Sequence, residues 1–405
     1  MGIFACFLII LHITRGHKYD TYDAYNCGKS QINAARSSLG VRTRRSYIAD
    51  AHSNDTSIGG DSTSQELDDN VTDDEDEDDF MQEKIMGGRR AERGELPWAV
   101  LLHVWKKKSS RDGSTTLYGG ICGGTLISTR HVITAAHCFQ ATESEGQCST
   151  SNMVSPDFVI NNTEVFIGGT CSSTGRFGCT KSDIGRVYKV ARAFYEDYFK
   201  FGCTDTHDIA ILELAKDVPK TINHVCLPFM HKVEELEDPY LKLRTFGWGR
   251  DPLNHDNNLS PYLQMTDLGA KLPEIECRKS SKAKDTFCVK SGQQEFCRGD
   301  SGGGVTAKIR GRNYLMGVAI AGPPCDMVAK DVKARSHPQT CTDIMYYKKM
   351  IGTWILAKRS RKPKVVNLPY KKLHRLLKPI TNPYWKNDPL SSIFYLPIFN
   401  PFPMF

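Results

Sequence analysis

The sequence predicts an all-β domain over residues 85–357, closed by a helix and flanked by two charged, disordered extensions. The first observation behind this is texture. From about Ile85 onward, short β-rich runs such as Ala99–Val104, Val132–Ala135, Val165–Ile167 and Leu315–Ile320 alternate with clusters of Gly, Pro, Ser and Asn. Many short strands separated by turn signals read as a sandwich or barrel. The second is a helical period near the end of that region, with Ile344, Tyr347, Ile351, Trp354 and Ile355 on one face. The third is the division of charge: residues 1–84 carry −8, 85–357 carry +6 and 358–405 carry +9, for +7 overall. At 405 residues, 40% hydrophobic and 10% aromatic, the chain can bury a substantial core, which excludes wholesale disorder. No apolar run reaches the ~18 residues of a membrane span, so no transmembrane anchor is expected.

Taken in order, residues 1–16 read as a signal peptide. Ile3 to Ile13 is almost wholly apolar, the length of a signal core rather than a span, and Gly16 offers a cleavage point. Secretion to the extracellular space also suits the 13 cysteines that remain once Cys6 is removed. Asn54, Asn70, Asn161 and Asn258 head N-glycosylation sequons. Residues 17–84 show no strand or helix period and form an acidic propeptide, with eleven carboxylates between Glu66 and Glu83. Such a block repels itself and stays solvated; it serves either as a spacer or as a recognition element. Arg42-Thr43-Arg44-Arg45 resembles a furin-type processing site. After residue 357 comes a basic, Pro- and aromatic-rich tail, in which Pro397, Pro401 and Pro403 exclude a spanning helix. Its nine Lys/Arg between Lys358 and Lys378 either form a solvated extension or bind a polyanion such as heparin, an anionic membrane or the chain's own acidic block. No internal repeat occurs, and a nucleic-acid partner is not expected.

Three segments carry chemistry. Thr134-Ala135-Ala136-His137-Cys138 closes a strand, Asp208-Ile209-Ala210-Ile211-Leu212 opens one, and Gly299-Asp300-Ser301-Gly302-Gly303 is a serine in a glycine-rich turn. Amide hydrolysis needs a nucleophile, a base, a group that orients the base, and donors for the developing oxyanion. Ser301, His137 and Asp208 can fill the first three roles, and the N–H groups of Gly299 and Ser301 the last.

With Ile85-Met86-Gly87-Gly88, Leu96-Pro97-Trp98-Ala99-Val100, Cys122-Gly123-Gly124-Thr125-Leu126-Ile127 and Gly247-Trp248-Gly249 beside those segments, residues 85–357 resemble the trypsin/chymotrypsin family of serine proteases. The His, Asp, Ser chain order agrees. The resemblance implies two six-stranded antiparallel β-barrels with a C-terminal helix and the active site between them. It also implies a zymogen: cleavage between Lys84 and Ile85 frees an α-amino group that pairs with Asp300 and orders the oxyanion turn. The activating protease should then prefer a basic residue. A protein or peptide is the implied substrate, and a serine protease inhibitor a candidate partner.

By the same resemblance Cys122 pairs with Cys138, Cys277 with Cys288 and Cys297 with Cys325. Cys226 resembles the cysteine that tethers a propeptide, with Cys27 its partner, so the cleaved segment would stay attached as a light chain. Cys148, Cys171, Cys179, Cys203 and Cys341 are left over, and an odd number leaves at least one thiol free or intermolecular. The specificity pocket departs from the family. Glu295 stands where trypsins carry an aspartate, and Phe296 where a small residue is usual. Ile320 and Ala321 replace the usual serine and tryptophan, and the lost serine loosens the support around Asp208. Gly322 is retained. Gln339 falls where a pocket-opening glycine is expected and either plugs the pocket or hydrogen-bonds Glu295, so cleavage after Lys or Arg stays open. The segment between Cys171 and Asp183 lacks paired acidic ligands, so no metal or cofactor is implied. The rival function is a catalytically impaired homologue acting as an extracellular binding protein.

Overall fold

Alternation of buried and open positions is clearest in two neighbouring strands. Thr163, Val165 and Ile167 are buried along Thr163–Ile167 while Glu164 and Phe166 are half-buried. Val187 and Lys189 are exposed along Arg186–Phe194, where Tyr188 and Val190 are buried. A computed structural model describes residues 21–32, 88–109, 115–141, 149–174, 178–204, 206–250, 259–280, 283–290, 294–330 and 337–356. The expected signal peptide, most of the expected acidic propeptide, the Lys84–Ile85 bond, Arg42–Arg45, Cys148 and the basic tail lie outside the described residues, as do all the sequons but Asn161, which is exposed.

The strands, in chain order, are β1 (Arg89–Arg90), β2 (Ala99–Ser109), β3 (Thr115–Leu126), β4 (His131–Thr134), β5 (Thr163–Ile167), β6 (Arg186–Phe194), β7 (Ala210–Leu214), β8 (Leu243–Gly247), β9 (Gln264–Gly269), β10 (Thr286–Val289), β11 (Gly304–Ile309), β12 (Arg312–Ala321) and β13 (Gln339–Asp343). The order β2-β3-β4-β7-β6-β5 closes into a six-stranded barrel. The second unit differs from the expected six-stranded barrel. It is a seven-stranded antiparallel sheet in the order β1-β9-β8-β11-β12-β13-β10, with the two-residue β1 added outside β9. Its reason lies at Gly269, whose φ of +75° turns the chain out of the ladder. Beyond it, among the described residues, the bridge Lys271–Val289 and the Leu272 N–H donating to the Cys288 carbonyl at 2.8 Å join that strand to β10.

The helical period also starts later than expected. Ile344 and Tyr347 are buried in turns, and the helix runs Lys348–Leu356 with Ile351 and Ile355 inside. Asp343 Oδ1 accepts the Met345 N–H at 2.8 Å and so holds the turn before the helix. One apolar core runs through both units, with Trp98, Phe139, Tyr195 and Phe246 among its largest buried side chains. No helix among the described residues is long and apolar enough to cross a membrane.

Residues 21–32 lie against this body. Cys27 is disulfide-bonded to Cys226, and Thr21, Tyr22 and Cys27 are buried. The Thr129 N–H donates to the Thr21 carbonyl and the Asn313 N–H to the Gly28 carbonyl, both at 2.8 Å.

Candidate active site

Strand pairing brings His137 to Asp208. β4 and β7 run antiparallel with Thr134 opposite Ala210. His137 lies three residues beyond the end of one strand and Asp208 two before the start of the other. The turn Ala136–Phe139 is pinned by the Cys122–Cys138 disulfide and by Phe139 stacked on Tyr195 with centroids 4.5 Å apart. The Asp208 carboxylate receives His137 twice: the main-chain N–H donates to Oδ1 at 2.9 Å, and Nδ1 lies 2.7 Å from Oδ2. With both oxygens accepting, the proton in this contact sits on Nδ1, and in the neutral ring Nε2 is then the acceptor. Asp208 is buried, while the His137 side chain is 25% exposed. Despite the missing serine, Asp208 is supported: Thr342 Oγ1 donates to its carbonyl at 2.7 Å. Thr342 escaped the sequence reading because nothing near it marks a contact with residue 208.

The Ser301 turn is seated where the two β units meet. The Gly123 N–H of β3 donates to the Ser301 carbonyl at 2.8 Å, and Thr134 Oγ1 donates to the Gly123 carbonyl at 2.7 Å. Gly302 has φ +84°, and a Cβ there would lie 2.1 Å from Thr134 Oγ1 and 2.9 Å from Ala135 N, so only glycine fits. Around the serine, the N–H groups of Asp300, Gly302 and Gly303 donate to the Cys297, Ala319 and Asp300 carbonyls. Those of Gly299 and Ser301 have no acceptor among the described residues. Two free donors flanking a nucleophile can receive a developing oxyanion. No hydrogen bond joins Ser301 Oγ to His137 in this structure.

Asp300 is fully buried, with Oδ1 accepting from the Gly249 N–H at 2.7 Å and Oδ2 from the Cys297 N–H at 2.9 Å. Gly247 and Gly249 make room for it: a Cβ at either would lie 2.0 and 2.1 Å from a carboxylate oxygen. Burial pushes its carboxyl up to about 7, against the pull of the two N–H donors. No cation pairs with it among the described residues.

Glu295, Phe296 and Gln339 are all buried, and Gln339 is 0% exposed. The Gln339 side chain lies across the space beside Gly322, where an added Cβ would meet its Cγ at 3.4 Å and the Phe296 ring at 3.7 Å. Its Oε1 accepts the Phe296 N–H at 2.9 Å, and its Nε2 donates to the Lys290 and Gln294 carbonyls, both at 3.4 Å. Of the two expectations for Gln339, the hydrogen bond to Glu295 is not made, because main-chain atoms take up the amide.

Cys277–Cys288, Cys297–Cys325 and Cys171–Cys179 are also bonded. Cys203 is disulfide-bonded as well, and Cys341 is a buried free thiol whose pKa burial raises. Among the described residues Cys27, Cys226 and His231 could be read as metal ligands, but both sulfurs are committed to the disulfide.

The family model described as Trypsin matches residues 85–351. The chain is similar to a trypsin-like protease of Caenorhabditis elegans, try-5, at 30% identity over 64% of this chain and 83% of that protein. It is 27% identical to CLIP domain-containing serine protease B14 of Anopheles gambiae, over 60% of this chain and 65% of the relative. It is 28% identical to Serine protease ea of Drosophila melanogaster, over 61% and 63% respectively. The chain thus spans a little under two thirds of the length of the two insect relatives.

Proposed function

Because the chain belongs to the trypsin family, we propose that it is a secreted serine endopeptidase made as a zymogen and activated by cleavage between Lys84 and Ile85. The observation that carries the reading is His137 engaging both oxygens of Asp208 while the Ser301 carbonyl is pinned to Gly123 of the other unit. Ser301 Oγ attacks the scissile carbonyl carbon as His137 Nε2 takes its proton. The oxyanion is received by the Gly299 and Ser301 N–H groups. His137 returns the proton to the leaving amine as the C–N bond breaks, and water hydrolyses the Ser301 acyl ester by the same route. Asp208 orients the imidazole and stabilises its cation.

Activation follows from Asp300. A buried carboxyl with no cation beside it among the described residues supports a zymogen waiting for an α-amino partner. The buried Gln339 side chain, held to the main chain beside Phe296, supports a small substrate side chain at the scissile bond rather than Lys or Arg. The partners proposed are a protein or peptide substrate, an activating protease that cuts after Lys84, a serine protease inhibitor, and a polyanion on the Lys358–Lys378 stretch. The buried Gln339 and Phe296 also support the second reading, a catalytically impaired homologue that binds partners. Peptide hydrolysis by the cleaved chain and by Ser301→Ala separates the two. The enzyme reading expects turnover that Ser301→Ala lowers by at least about 10³-fold with folding intact; equal turnover in both would end it.

A further inference from the structure

The chain enters Asp208 through His207, whose φ of +61° is left-handed. That conformation is uncommon for a non-glycine residue, although histidine adopts it more readily than most, and residues held in it gather at functional sites. Here a carboxyl group holds it. Asp285, 2% exposed and just before β10, accepts the His207 N–H at Oδ2 over 2.7 Å. The same oxygen accepts the Tyr347 hydroxyl. The His207 ring is held between the face of Phe201, with centroids 4.2 Å apart, and the edge of Tyr347 at 6.4 Å. The Asp285 carbonyl accepts the Asp343 N–H at 2.8 Å, beside Thr342, which holds the Asp208 carbonyl. β10 and β13 pair Thr286 with Thr342, so the two grips come from adjacent strands.

We propose that Asp285, acting through the His207 main chain and backed by Tyr347, is a positioning residue that fixes Asp208 against His137. This rests on the role of Asp208 proposed above. The dipeptide His207-Asp208 is gripped at its leading N–H by Asp285 and at its trailing carbonyl by Thr342, so the second β unit sets the carboxylate that the first unit carries. Asp285 Oδ1 is buried with no hydrogen-bond partner, a cost borne while Oδ2 takes both the His207 N–H and the Tyr347 hydroxyl. Releasing the His207 N–H frees the left-handed residue to relax, and the 2.7 Å approach of Asp208 Oδ2 to His137 Nδ1 lengthens with it.

The test uses the full chain cleaved at Lys84–Ile85, with Asp285→Ala, Asp285→Asn and Tyr347→Phe. Three readouts are taken: melting temperature, kcat and KM on a small ester, and the far-downfield proton resonance of the His137–Asp208 hydrogen bond. Asp285→Ala is expected to lower kcat about tenfold to hundredfold with KM within about twofold, as misplacement of reacting groups does, and to shift or broaden the resonance. Asp285→Asn keeps an acceptor for the His207 N–H and should restore most of both. A folded Asp285→Ala chain with unchanged kcat and resonance overturns the proposal. Should Asp285→Ala not fold, Tyr347→Phe decides: a shifted resonance supports the proposal and an unmoved one overturns it. The resonance is read without turnover. A wild-type chain that shows it but hydrolyses nothing would defeat the enzymatic reading alone, and the Asp285 variants would still decide the positioning.

Discussion

Asp300 sets an unusual pH dependence on the uncleaved chain. Its carboxyl is pushed up from 3.8 to about 7 by burial, so the folded state favours the protonated form. The contribution is fully present below the unfolded value near 3.8 and is lost as pH rises through about 7. A shift of that size corresponds to something on the order of 4 kcal/mol. In urea unfolding of the uncleaved chain, the wild type should lose stability relative to Asp300→Asn as pH rises from 4 to 7. An unchanged slope in the variant would contradict the assignment. Gln339 supplies a second residue-scale prediction. Gln339→Gly removes the side chain beside Gly322 and uncovers a route toward Glu295, so kcat/KM on an Arg ester should rise at least about tenfold relative to an Ala ester. An unchanged ratio across the two substrates would show that Gln339 does not set the preference. His137, Asp208 and Ser301 were legible because each sits in a short segment with its own chemical signature. The partners of the Gln339 amide, and Asp285 and Thr342 behind Asp208, were not. They are single polar residues whose contacts arise only when distant strands pair.

The docked segment 21–32 behaves as an element although it forms no ladder. Tyr22 lies against His224 and His231, its hydroxyl 3.0 Å from His231 Nε2, and the Asp23 N–H donates to His224 Nε2 at 2.9 Å. Burial lowers both histidines to about 4, helped at His231 by Arg312 and His224 and opposed at His224 by the Val225 carbonyl and Asp23. For a depressed histidine the stabilisation is present above the unfolded value near 6.5 and is lost as pH falls through the folded value near 4. Amide exchange at Gly28 and Asn313 should therefore speed up between pH 6.5 and 4 while the β4 amides stay protected. Uniform protection across that range would contradict it. The strand runs of the first barrel were visible in the sequence because β-rich texture is local. The interrupted ladder of the second unit was not, since one glycine, Gly269, takes the chain out of it. The late start of the last helix has the same kind of cause, a turn held by Asp343 inside an otherwise helical apolar period.

At the scale of the whole molecule, two β units meet at one seam, and each brings half of the candidate site. The first barrel carries His137 and Asp208; the second sheet carries the Ser301 turn, the Asp300 carboxyl and the strands that hold Asp208. Charge asymmetry along the chain was plain from composition, and it separates the body from its acidic and basic extensions. In the proposed activation, the cut between Lys84 and Ile85 supplies the cation that the buried Asp300 carboxyl lacks among the described residues. Fluorophosphonate labelling of the intact chain and of chain cut between Lys84 and Ile85, with Ser301→Ala as the control, tests this most directly. Labelling is expected only after the cut and only when Ser301 is present. Equal labelling before and after cleavage, or none in a cut and folded chain, would contradict it.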